Sequence, residues 1–174
     1  MRGRRRPWSL LPLPLLLLTA CSPPDEPLVA LAVKDGQPVG VLVTCQGDHA
    51  NIHVYEDSDE GGRGTRTLSK WGVYGATASE VVEVTLLGQP PEGWEDFDAL
   101  DSQMSEVEVA PLTEFRPGVT YTVIGSGRHH AISVDFALAD LPRVGPDQVL
   151  APRGHDSTTV VSRETFLRKA RDRC

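Results

Sequence analysis

The chain has 174 residues, 40% of them hydrophobic, and its 17 Lys and Arg stand against 24 Asp and Glu for a formal net charge of −7. An acidic excess of this kind is repelled by nucleic-acid phosphates and anionic lipid heads, so neither nucleic-acid binding nor flat docking on a membrane is expected. The longest apolar stretch, Trp8 to Ala20, has 13 residues and contains Pro12 and Pro14, short of the roughly 20 that a membrane-spanning helix needs.

That stretch follows Arg2, Arg4, Arg5 and Arg6 and ends in Leu18-Thr19-Ala20-Cys21. A cationic start, a short apolar run and small residues before a cut site are the parts of a secretory signal. The last four residues resemble the lipobox of bacterial lipoproteins. The resemblance implies a diacylglyceryl group on the Cys21 thiol and cleavage just before it, with 1–20 as the signal peptide. Arg5-Arg6 also resembles a twin-arginine export signal, although the residues after it fit that pattern poorly. Loss of 1–20 removes four arginines and leaves 13 basic against 24 acidic side chains, a net of −11. Residues 21–27 hold Pro23, Pro24 and Pro27, which forbid a helix and favour a stiff, extended tether.

Residues 28–174 are enough for a single domain with an adequate core. Apolar residues alternate with period two between frequent turn signals, so the spacing predicts strands. Leu28–Lys34 and Val39–Cys45 flank Asp35-Gly36, a pair suited to a tight hairpin because both positions tolerate positive φ. Further strands are expected at Ile52–Tyr55, Lys70–Tyr74, Val81–Leu87, Glu106–Val109, Val119–Ile124 and Ala131–Ala137. The acidic and proline-bearing segment Gly88–Ser105 reads as a surface excursion. Eight strands with little helical periodicity predict an all-β fold, two sheets packed face to face.

Phe115-Arg116-Pro117-Gly118-Val119-Thr120-Tyr121-Thr122-Val123 resembles the Pro-Gly-x-x-Tyr-x-Val corner that opens a strand in fibronectin type III domains. The resemblance spans about ten residues and implies an immunoglobulin/fibronectin type III-like sandwich, with the Tyr121 hydroxyl bonded back to the corner's backbone. Trp71 is the expected aromatic between the sheets. Gly125-Ser126-Gly127 reads as a hairpin loop, followed by Arg128, His129 and His130 at its tip.

Near the C-terminus, Ser162 is placed to cap a helix over about 162–173, with Val161 and Phe166 as a hydrophobic staple. Phe166, Ala170 and Cys174 recur on one face of that helix. Cys45 shares the phase of Val41 and Val43 on a side expected to face the core, so Cys45 and Cys174 are expected to meet at the domain's edge in a disulfide, favoured in an exported chain over two free thiols.

The sequence has no Gly-x-Ser-x-Gly, His-Glu-x-x-His, Cys-x-x-Cys or phosphate-loop pattern, so no catalytic set, metal set or cofactor is assigned. Asp57-Ser58-Asp59-Glu60-Gly61 begins like a calcium loop, but its twelfth position is Leu68, where a bidentate glutamate is required. His49 and His53 would lie on one strand face about 13 Å apart, too far to share a metal. Arg128, His129 and His130, with Trp94 in the excursion, are the binding candidates because sandwich-end loops carry contacts. Two function classes follow. The first, preferred, is a binding or structural module, tethered by its lipid and meeting a protein or cell-wall ligand. The second is a metal-handling protein or hydrolytic enzyme built on the loop histidines. The lipobox, the proline-, arginine- and glycine-rich composition and the closing Arg171-Asp172-Arg173-Cys174 resemble the small lipoproteins of high-GC actinobacteria, which implies the outer face of the cell membrane.

Overall fold

The computed structural model describes residues 26, 28–45, 49–58, 66–76, 79–97, 109–127, 129–155 and 157–174. They form two sheets and one short C-terminal helix, an all-β sandwich. The strands are β1 (Val29–Lys34), β2 (Gln37–Val43), β3 (His49–Ser58), β4 (Arg66–Ala76), β5 (Val81–Thr85), β6 (Trp94–Asp96), β7 (Ala110–Pro111), β8 (Thr120–Ser126), β9 (Val134–Ala137), β10 (Gln148–Pro152) and β11 (Thr158–Ser162). The first sheet has the order β11-β10-β1-β2-β5 and the second β6-β4-β3-β8-β9, with β7 added in parallel to β4. A 3-10 turn (Leu138–Arg143) follows β9, and helix α1 (Arg163–Arg171) follows β11.

Local chemistry accounts for the joints. Asp35 and Gly36 both have positive φ, 52° and 79°, the geometry of a two-residue turn whose twist matches the strands it joins. Tyr121 is fully buried and its hydroxyl accepts the Arg116 N–H at 2.8 Å, so the expected corner bond forms. Phe115 and Phe136 pack around the Tyr121 ring. These aromatics fill the space between the sheets. Trp71, the sequence choice for that role, is only half-buried and packs against the core.

A third layer covers the first sheet. Gly40 faces the second sheet, since a Cβ there would meet Ile52 and Leu86, and Leu42 does likewise against Gly125. Val41 and Val43 therefore point the other way, toward α1, yet both are buried. Helix α1 crosses β2, β10 and β11 and buries Phe166 and Ala170. Ser162 is its N-cap, its hydroxyl accepting the Thr165 N–H at 3.2 Å. Cys174 closes the layer by its disulfide to Cys45.

Four further expectations change. Hairpin β10–β11 lies where the spacing predicts no strands, and it extends the first sheet beyond β1. The Gly88–Ser105 excursion contributes β6, which pairs with the edge of β4. The strand expected at Ala131–Ala137 is regular only over β9, because Ala131 instead bridges to Glu26. Gly125 and Ser126 end β8 rather than form a loop. Gly125 is buried, and a Cβ on it would lie 2.8 Å from Leu42 Cδ1, so close approach of the sheets selects glycine there. Most of the strand expected at Glu106–Val109 lies outside the described residues, and β7 begins just after it.

Candidate functional site

The sequence-derived candidates do not converge. Cys21 and Arg128 lie outside the described residues. His129 is half-exposed and His130 exposed, and their carbonyls hold backbone: His129 O accepts Gly127 N–H at 3.2 Å and His130 O accepts Glu26 N–H at 3.0 Å. Trp94 is half-buried over Gly75, where an added Cβ would come within 2.5 Å of the indole. Strand β6 is three strands from β8, so Trp94 and the histidine hairpin stand roughly 14 Å apart by strand spacing. His49 and His53 share β3, His49 exposed and His53 buried. Among the described residues no three His, Cys, Asp or Glu could hold a metal ion.

One end of the sandwich collects the chain's ties. Glu26 bridges to Ala131, its carbonyl accepts the Ile132 N–H at 2.8 Å, and its carboxylate stands 3.7 Å from Arg173. Cys45, Cys174 and the β8–β9 hairpin gather at the same end. Glu26, read from sequence as part of the tether, is thus held against the sheet.

The opposite end holds a site that sequence reasoning did not single out. Ile52, Val54 and Glu56 follow one another on the inward face of β3, and Glu56 is buried with them, its side chain only 8% exposed. A buried carboxylate needs donors. Ser69, its cross-strand neighbour on β4, donates to Oε2 at 3.0 Å, and Arg116 Nη2 donates to Oε1. Arg116 is brought there by the Pro117-Gly118 turn and by the bond from its own N–H to Tyr121. The Glu56 carboxylate, and then Tyr121, hold the Arg116 guanidinium above its ordinary pKa.

Around this pair opens a groove of about 370 Å³, lined by Glu56, Ser69, Arg116, Glu114, Leu112 and the exposed Leu68. A volume of that size admits a side chain or a small ligand. The Arg116 side chain is 52% exposed, so donors remain on its outer edge. Leu68 and Leu112 give the groove an apolar wall. The groove thus sets the outer donors of Arg116 and the Glu114 carboxylate beside an apolar wall.

Two signals in the chain mark this site. Glu56 falls in phase with buried Ile52 and Val54, and Arg116 belongs to the corner motif whose expected bond involves the tyrosine. No protein-family model, curated protein or solved structure matches this chain.

Proposed function

We propose that the mature chain is a lipid-anchored, extracytoplasmic binding module with an immunoglobulin/fibronectin type III-like sandwich, which keeps one end at the membrane and offers the Glu56–Arg116 end to a protein or cell-wall ligand. The fixed position of Glu26 carries this reading. Cys21 lies five positions before Glu26, a reach of about 17 Å at full extension, so a lipidated Cys21 would keep the His129–His130 end near the bilayer. The groove lies at the start of β8, beside Glu56 and Tyr121, and the anchor end lies at Ser126. That is about 17 Å further along the strand.

Further features support the reading. A Cys45–Cys174 disulfide suits an oxidising space outside the cytoplasm. The placement of β1, β2 and β5 against β4, β3, β8 and β9, with the Tyr121 corner, supports the fibronectin type III resemblance. Fold likeness alone carries no ligand; the groove supplies the candidate contact surface.

The test takes the full chain in its host. Wild type should label with a palmitate analogue and fractionate with membranes, and Cys21→Ala should do neither. The detergent-extracted wild type should then co-sediment with purified cell-wall sacculi. Arg116→Ala should weaken that binding about tenfold or more, while His130→Ala leaves it unchanged. Normal labelling of Cys21→Ala would remove the anchor, and sedimentation indifferent to Arg116 would remove the groove as the contact.

A further inference from the structure

His53 stands on the outward face of the second sheet, opposite in direction to Ile52 and Val54. A residue so placed is ordinarily wet, yet His53 is 6% exposed. Three neighbours enclose it. The Phe97 ring meets the imidazole edge-on at 4.2 Å between centroids, and Tyr55 stacks on it at 5.9 Å. Gly72, directly across on β4, leaves room for the ring: a Cβ there would lie 2.5 Å from Nδ1. Among the described residues Nδ1 has no hydrogen-bond partner.

We propose that His53 is an acid-operated latch: once protonated, its imidazolium cannot stay beneath Phe97, and Phe97 with strand β6 leaves the edge of β4.

The neutral ring tolerates this enclosure, because one unpaired nitrogen costs far less than a buried, unpaired charge. Among the described residues, the charged groups nearest the ring give an imidazolium no ion pair, and the aromatic faces repay only a small part of its lost hydration. On β4, Lys70 is itself cationic, with Nζ 5.6 Å from the Phe97 ring centre, and the Tyr74 hydroxyl donates to Glu95 of β6. On β3 the neighbour is the Tyr55 ring. On β8 Ile124 is the cross-strand partner, and beyond it Thr122 donates to Asp135 of β9 at 2.8 Å. Glu95 and Asp135 are thus already engaged. Burial, and then Lys70, push the His53 pKa down from 6.5 to about 4.

The direction follows from linkage. With Phe97 in place burial, and then Lys70, hold His53 down to about 4; withdrawal of Phe97 relieves the burial, the larger cause, and on this proposal lets the ring move back toward the ordinary 6.5. Above pH 6.5 both states are neutral and acid has no effect. Between 6.5 and 4 the open state binds the extra proton, and opening is favoured by up to tenfold per pH unit, about 30-fold between pH 7.5 and 5. The unit that moves is small. Strand β6 has three residues, continued by the Phe97 N–H to Gly72 O bond of 2.9 Å, so it can open without the core. Opening uncovers the backbone edge of β4 from Gly72 to Gly75, a template for an extended segment.

The experiment is amide exchange on the full chain in detergent, followed by NMR at pH 7.5 and 5 and corrected for intrinsic exchange. Protection of the Phe97 amide should fall about 30-fold at pH 5 while core amides of β3 and β8 hold, and His53→Leu should abolish the fall. Should His53→Leu fail to fold, the imidazole titration decides: Phe97→Ala should move the His53 midpoint from about 4 toward 6.5. Phe97 protection indifferent to pH, or falling in step with the core, would overturn the latch. So would a His53 midpoint that Phe97→Ala leaves in place.

Discussion

Tyr121 connects three parts of the molecule through one hydroxyl. It is buried between Phe115 and Phe136, its Cα faces Glu56 across the sheet, and its oxygen accepts the Arg116 N–H. Arg116 in turn satisfies the buried Glu56 carboxylate. Tyr121→Phe should destabilise by about 1 kcal/mol, the usual net worth of one hydrogen bond, and should loosen Arg116 as well. Urea denaturation checks the first effect, and an unchanged midpoint would refute the corner bond. The role of Tyr121 was legible because Pro-Gly and a following tyrosine fix a local geometry. The role of Glu56 was half legible, since an acid in phase with buried valine and isoleucine signals a buried charge but not its partner. Arg116 lies 60 residues away, a distance that no local pattern bridges.

Helix α1 and hairpin β10–β11 show the same division among elements. The helix announces itself through Ser162, the staple pair and the Phe166–Ala170–Cys174 stripe. Ser162→Ala removes the acceptor for the Thr165 N–H and should cost about 1 kcal/mol. Circular dichroism through a thermal melt would register it as a lower midpoint; no shift would mean that packing alone holds the first turn. Hairpin β10–β11 hides because its strands have five residues each and β10 runs apolar on both faces, Val149 and Leu150 both buried. Alternation fails as a signal when a helix covers the second face of a sheet. Strand β6 hides differently: three residues carry too little pattern, and only the open edge of β4 makes them a strand.

For the whole molecule, the Cys45–Cys174 disulfide ties the residues just past β2 to the end of the chain across 129 positions. It also clamps α1 over the face formed by Val41, Val43 and Val149. Cys45→Ser should expose a reactive thiol at Cys174 under non-reducing denaturing conditions. It should also lower stability by about 2–5 kcal/mol. Wild-type protein that already shows two reactive thiols would contradict the bond. Ion pairs at the same layer, such as Arg171 with Glu80 at 3.4 Å, are exposed and add little by comparison.

Short-range chemistry writes the strand alternation, the Asp35-Gly36 turn, the tyrosine corner, the capped helix and the pairing of two cysteines, but not that the face carrying Val41 and Val43 is covered by the helix. Each depends on residues within a turn or a pleat of one another, or on a bond that only two partners can make. Which outward residue is buried and which inward charge is paired depends on the packing of distant segments. His53 is dry because Phe97 and Gly72 come to it from another strand and a later segment, and Glu56 is stable because a distant turn delivers Arg116. Burial is a property of the assembled layers, and it is fixed only when segments far apart in the chain meet.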